Sequence, residues 1–237
     1  MKTVSFSKIL VISVGLAVIL QQGAGAASVV INNAGFESDP VAANTGMQMV
    51  PDGWTLFADG GDTYVGNGSW LGTPAAGLGG DQYMLVHTSR GYAAIRQDVA
   101  LLWSDLSPGD TMTIAAWTTY RADIPGDASV YFWLNDSDGS GIYSSPMNAT
   151  DGGATPAGTW TKRTWTYTVT QTAINRALGE GWGAVNLQVG ILNTSGGNQQ
   201  VMFDDVTLDY TAVPEPSSAA ALGALTVGLL IRRRRMA

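Results

Sequence analysis

Val185-Asn186-Leu187-Gln188-Val189-Gly190-Ile191 alternates apolar with polar or small residues without a break. Successive side chains of a strand point to opposite faces, so Val185, Leu187, Val189 and Ile191 share one face while Asn186 and Gln188 share the other. A helix would scatter the four aliphatic residues around its circumference and leave no continuous stripe to bury. The stretch therefore reads as a half-buried strand.

The same period recurs on either side of it. Val130, Phe132 and Leu134 make a second apolar face, and Trp165, Tyr167 and Val169 a third. Runs rich in β-branched and aromatic residues, punctuated by Gly, Asn, Asp and Ser, predict strands at 28–31, 54–58, 63–65, 82–88, 93–100, 111–121, 129–136, 160–170, 184–192 and 200–210. Only Thr172–Leu178 reads as helical, with Gly179 as its C-cap. Many short strands without a long helix predict an all-β domain, an antiparallel β-sandwich or barrel.

Charge and cysteine usage narrow the partners. Between residues 27 and 212 there are 18 Asp and Glu against 6 Lys and Arg, so this body carries about −12 while the whole chain carries −7. A body so acidic does not suit nucleic acid or anionic lipid, which need clustered Lys and Arg. Neutral glycans and cations remain. The chain has no Cys, which excludes disulfides, thiolate metal sites and Cys nucleophiles.

The two ends carry most of the remaining basic charge. Lys2 and Lys8 precede the apolar run Ile9–Leu20, and Ala24-Gly25-Ala26 follows with the small residues of a signal-peptidase site. This predicts a signal peptide over residues 1–26, cleaved after Ala26. At the other end, Val213-Pro214-Glu215-Pro216 interrupts any packed structure, because each Pro fixes φ and lacks an N–H. Ser217–Ile231 is uncharged, apolar around its whole circumference, and closed by Arg232, Arg233, Arg234 and Arg235. These 15 residues reach roughly 22 Å as a helix, so crossing a ~30 Å hydrocarbon core draws on flanking residues and local thinning. Positive-inside logic puts the Arg end in the cytoplasm.

That order of motif, short transmembrane helix and Arg cluster over residues 212–237 resembles the PEP-CTERM sorting signal of exported bacterial proteins. The resemblance implies a Gram-negative, exopolysaccharide-producing host and recognition by an exosortase. The precursor would sit in the inner membrane, and the mature form at the cell surface or in the extracellular matrix.

The intervening residues, 27–211, carry a second resemblance. Ile31-Asn32-Asn33-Ala34-Gly35-Phe36-Glu37 near the start and Val201-Met202-Phe203-Asp204-Asp205-Val206-Thr207-Leu208 at the end are similar to the opening and closing strands of galactose-binding-like jelly rolls, carbohydrate-binding modules above all. Gln97, Pro108-Gly109-Asp110 before a strand reaching Trp117, and Trp160 opening a Thr-rich strand agree with it. The family places Glu37 and the last strand at the same end of the sandwich, which implies a structural Ca²⁺ ion on Glu37 and Asp204. Independently, period two puts Asp204 in a row with Met202, Val206 and Leu208, and a carboxylate in an apolar row needs a partner. Ca²⁺ takes such hard oxygen ligands. Hydrogen bonds from backbone N–H groups or an Arg would serve equally.

For ligand binding the residues to watch are Tyr131 and Trp133, which alternate away from the apolar face of their strand, and Asn186 and Gln188, which do so on theirs. Aromatic faces that stack on sugar rings, with amides that reach hydroxyls, suit a glycan groove. A loop over 137–159 could instead cover both aromatics. Catalysis finds little footing: His87 is the only His and has no nucleophile motif near it. Acids such as Asp62 sit beside Gly in turns, where Asp caps or is solvated. The reading is a non-catalytic, exported polysaccharide-binding protein that meets signal peptidase and exosortase on its way. A structural surface protein without a sugar ligand is the alternative, and a glycoside hydrolase a distant third.

Overall fold

The computed structural model describes residues 26–58, 61–70, 80–89, 93–133, 155–179, 181, 186–193 and 197–213; at strand positions 57, 58, 129–133, 186 and 192 only the backbone is described. Ala26–Ala212 forms one compact unit. Its strands are β1 (Ala26–Val29), β2 (Gly46–Gln48), β3 (Thr55–Ala58), β4 (Gly61–Asn67), β5 (Gln82–Thr88), β6 (Ala93–Leu102), β7 (Thr111–Thr119), β8 (Ala128–Trp133), β9 (Thr161–Thr168), β10 (Asn186–Asn193) and β11 (Gln199–Thr211). A helix, α1 (Gln171–Gly179), lies between β9 and β10.

The strands form a β-sandwich of two antiparallel sheets. One runs β2-β4-β5-β11-β7-β9, with β1 also paired to β11, and the other β3-β6-β10-β8. The alternation of β10 does what its sequence requires. Leu187, Val189 and Ile191 are at most 1% exposed and belong to the main core, as do Trp165 and Tyr167 of β9 and the following Val169. That row of β9 extends one step further than its apolar residues, to Arg163. The buried Arg163 guanidinium donates to Ala128 O at 3.0 Å and to Asp127 Oδ1 at 3.3 Å, and lies 4.8 Å from the Trp165 ring. Its charge is thus paired where it leaves water.

The predicted strand runs recur in the structure, and of its described strands only the three-residue β2 went unpredicted. Thr170 caps α1, its Oγ1 accepting from Ala173 N at 3.1 Å, and the helix buries Ile174 and Ala177. The three-residue β2 lacks any alternation and leaves Met47 half exposed, so nothing in its sequence announces it.

The largest departure lies in β11. Its register against β7 shifts between Asp204 and Thr207, and Asp205 adopts a left-handed φ of 48°. This is a β-bulge, which inserts a residue and resets the parity of the side chains beyond it. Val201 and Phe203 therefore share the main core with Val206 and Leu208, whereas Met202 packs with Tyr83 and Leu85 in a separate cluster. The single row of Met202, Asp204, Val206 and Leu208 expected from period two does not exist.

Two side-chain amides fasten the irregular segment between β1 and β2. Gln97 accepts from Asn32 N at 2.9 Å and donates to Asn32 O at 3.1 Å. Gln82 accepts from Val41 N at 3.1 Å and donates to Phe36 O at 3.3 Å. The segment's backbone groups find partners without a sheet ladder. They hold Asn32 and Glu37 where the site geometry needs them.

Candidate functional site

The face of the smaller sheet away from the core carries the polar residues of β6 and β10. Pairing runs Thr55–Arg96–Gly190–Tyr131 across one row and Asp98–Gln188–Trp133 across the next. The register thus brings positions 131 and 133 beside Gly190 and Gln188, on neighbouring strands. Asn186 pairs with Leu102 across an irregularity in the β6–β10 ladder, one strand end away from this group. The side chains of Tyr131, Trp133 and Asn186 lie outside what is described.

Gln188 needs a correction. It leaves the core face as expected, but it is not a solvated amide: it is only 8% exposed, and its Nε2 donates to Asp98 Oδ1 at 2.7 Å. Its Oε1 is buried without a partner. A polar recess of about 340 Å³ opens beside it, lined by Asn32, Thr55, Arg96, Gln97 and Asp98 together with Gly53. Arg96 and Asp98 were missed by the sequence reading, although they alternate with the buried Ile95, Gln97 and Val99 along β6. That polar parity was the signal that marked them.

The second site lies at the bulge. Gly35 passes so close that a Cβ on it would stand 3.3 Å from Asp205 Oδ1, 3.7 Å from Asp204 Oδ1 and 3.9 Å from Glu37 Cγ. Asp204 and Asp205 thus meet Gly35 with carboxylate oxygens and Glu37 only with its Cγ, and Ala34 O accepts from Val206 N at 3.0 Å to hold the two segments together. Glu37 is exposed and accepts from Gln82 N at 2.7 Å and Gln82 Nε2 at 3.2 Å. Asp204 is only 1% exposed. Its Oδ1 accepts from Asp205 N at 2.7 Å, while its Oδ2 is buried with no partner.

Burial, with the Asp205 charge and more weakly that of Glu37, pushes the Asp204 carboxyl up to about 8; the Asp205 N–H opposes this in part. Asp205 is raised as well, by burial first and by Glu37, against the lowering effect of Lys162. An orphaned carboxylate oxygen among other acids is the chemistry a hard cation relieves. Among the described residues no group of three His, Cys, Asp or Glu is arranged to hold a metal ion, so a cation here would take further oxygens from the backbone.

His87, on the larger sheet, donates from Nε2 to Asn198 Oδ1 at 2.7 Å and stands apart from both sites. Of the processing residues, Ala24, Pro214, Glu215, Pro216 and Arg232–Arg235 lie outside the described residues. Ala26 opens β1 and pairs with Thr211, and Val213 follows β11 with 44% of its surface exposed. Among the described residues no helix is long and apolar enough to cross a membrane.

No family model matches the chain, and no curated protein does. Solved structures do resemble it. A Stig cyclase from Fischerella sp. TAU, in complex with a pyrrolidinylidene-indole, superposes with a TM-score of 0.57 at 17% identity, over 80% of this chain and 100% of that one. The xylan-binding CBM22-1 domain of Paenibacillus barcinonensis Xyn10C gives 0.44 at 14% identity, over 73% and 99%. TmCBM61, in complex with β-1,4-galactotriose, gives 0.39 at 13% identity, over 75% and 95%. At these identities the cyclase likeness speaks for the shared fold, and for nothing of the chemistry.

Proposed function

We propose that this chain is an exported, non-catalytic glycan-binding protein, a galactose-binding-like jelly roll that binds polysaccharide on the outer face of its smaller sheet. The observation that carries the reading is the polar recess beside Gln188, whose rows continue into positions 131 and 133. Stacking aromatics next to amide, carboxylate and guanidinium groups are what a saccharide face requires. The acidic body favours neutral glycans over polyanions as partners. In the same reading, the N-terminal segment directs export, and the Val-Pro-Glu-Pro, apolar helix and Arg cluster direct sorting by an exosortase to the surface or matrix.

A structural Ca²⁺ ion on Glu37 and Asp204 belongs to this proposal. Asp204 would supply its orphaned Oδ2 and Glu37 a second carboxylate, fastening the N-terminal segment to β11. Such an ion would supply the positive charge that lets both acids stay ionised. It has no part in ligand chemistry.

A pull-down of the exported protein on insoluble polysaccharides tests the binding claim. Retention that is lost in Trp133→Ala, with melting unchanged, is the expected result. Indifference of the wild-type protein to every polysaccharide would leave the sandwich as a structural surface domain. Intact-mass measurement of surface-extracted protein tests sorting: the mature species should lack residues 1–26 and Arg232–Arg235.

A further inference from the structure

The strands that end the two sheets are not guarded alike. β2 has three residues, β3 four and β8 six, whereas β9 runs for eight and pairs, among the described residues, with β7 alone. A long open edge is a template for another strand, and chains usually blunt it with charge, Pro, a bulge or a covering segment. β9 has little of this. Its ladder with β7 is unbroken, it contains no Pro, Gly, Asp or Glu, and Arg163 is turned into the core, which leaves Lys162 as its one outward charge.

The register shows which backbone groups this edge offers. Val169 N donates to Asp110 O at 2.8 Å in line with the β7–β9 pairs, so the odd positions of β9 exchange hydrogen bonds with β7. The N–H and C=O groups of Lys162, Thr164, Thr166 and Thr168 therefore point away from the sheet, and among the described residues nothing bonds to them. An antiparallel second copy of β9, centred on Trp165, fits all four: Thr164 meets the partner's Thr166 and Lys162 the partner's Thr168, each pair exchanging two bonds. The side chains suit this occupant. Thr164 and Thr166 would extend the Thr113–Thr166 hydroxyl pair, 3.2 Å apart, across the seam, and no like charges stand opposite. The acidic body repels its own copies, but least along a strand that carries no acid. We propose that two copies of this chain associate edge to edge through β9, joining their larger sheets across a two-fold axis at Trp165. The seam lies on the other sheet from the glycan face and does not depend on it.

The chain has no Cys, so introduced thiols report the seam without interference. Thr164→Cys and Thr166→Cys are prepared separately as full-length protein in detergent, then mixed and oxidised. A hydrogen-bonded cross-strand pair holds its Cα atoms about 5.5 Å apart, within a disulfide's reach, while two copies of the same residue lie on a diagonal beyond it. The mixture should therefore give at least about tenfold more disulfide dimer on non-reducing gels than either variant alone. Thr207→Cys mixed with Thr211→Cys, on the inner strand β11, should give none. Thr166→Pro deletes an N–H that β7 does not use, so it should keep the melting temperature and lose the dimer seen in sedimentation of the detergent-solubilised chain. Dimer no more abundant in the Thr164→Cys and Thr166→Cys mixture than in either variant alone, or than in the β11 pair, would overturn the proposal. So would a folded Thr166→Pro protein that still sediments as a dimer. The thiol comparison decides whether or not Thr166→Pro folds.

Discussion

The outward faces of the two sheets are finished in opposite ways. On the larger sheet, Tyr83, Leu85 and Met202 are at most 1% exposed although they lie outside the main core. Trp70, Trp160 and Tyr64 close over them, with ring centroids 5.9 Å apart for Tyr64–Trp70 and 5.8 Å for Tyr83–Trp160. The Tyr83 hydroxyl donates to Trp70 O at 2.9 Å, so its polar end is satisfied as the ring is sealed. On the smaller sheet Gln188 is also buried but keeps an unpaired oxygen beside a polar recess. Among the described residues, one face is thus sealed by the chain's own aromatics and the other keeps a polar recess and an unsatisfied amide oxygen.

The sharpest test of this contrast is truncation on the sealed side. Tyr83→Ala should cost about 3–5 kcal/mol in denaturant unfolding, as removal of a fully buried aromatic does. A loss under about 1 kcal/mol would mean that Trp70 and Trp160 do not form a packed layer.

The next effect concerns Asp204, the carboxylate closed in at the β11 bulge. Its folded-state carboxyl titrates near 8 while the unfolded one titrates near 3.8, so the folded state holds the extra proton between those values. In chelator, stability should fall as pH rises from about 4 to about 8 and level off outside that window. Added Ca²⁺ at 100 times its Kd should restore about 2.7 kcal/mol at pH 8 and flatten the profile. Asp204→Asn should be insensitive to both chelator and pH in this window, whereas Asp205→Asn should keep the Ca²⁺ response. Calorimetry of the three proteins decides it, and a wild-type melt indifferent to chelator would leave Asp204 an uncompensated acid.

Smaller again is Gly66→Ala. A Cβ there would stand 2.6 Å from the Tyr83 ring and 2.8 Å from the Trp70 ring, close enough to push the aromatic layer outward. A loss of about 1–3 kcal/mol is expected from overpacking, read as a lower denaturation midpoint. The smallest is on the open face: Thr55→Ala, exposed at the recess, should change stability by no more than about 0.5 kcal/mol. Equal losses at Tyr83 and Thr55 would erase the distinction between the two faces.

Much of this fold was legible because period two survives wherever a strand has one wet and one dry side. The inward rows of β9 and β10 follow from their residues alone, whereas β5, buried on both faces, was legible only from its β-branched and aromatic composition. The bulge was not legible, since Asp204-Asp205 obeys strand parity on paper and only the pairing with β7 reveals the inserted residue. The recess lies between these cases. Gln188 was picked out by its parity, but its partner Asp98 lies 90 residues away in the chain, and no local pattern links the two. Asp204 and Glu37 were paired through a family likeness alone, and no local pattern in the sequence links them.

One further property follows from the way the described sandwich begins and ends. β1 lies antiparallel to the end of β11, Ala26 opposite Thr211 and Val29 opposite Leu208, so both strands leave at the same corner. Tension applied between the ends of these two strands would load the pairs in series, opening those nearest Thr211 first and the rest one at a time, instead of shearing all together. β1 buries little besides Val29, so little packing would resist the peeling. Held by both ends, the domain would yield as a zipper, giving up its first strand at low force while the two sheets behind it stay closed.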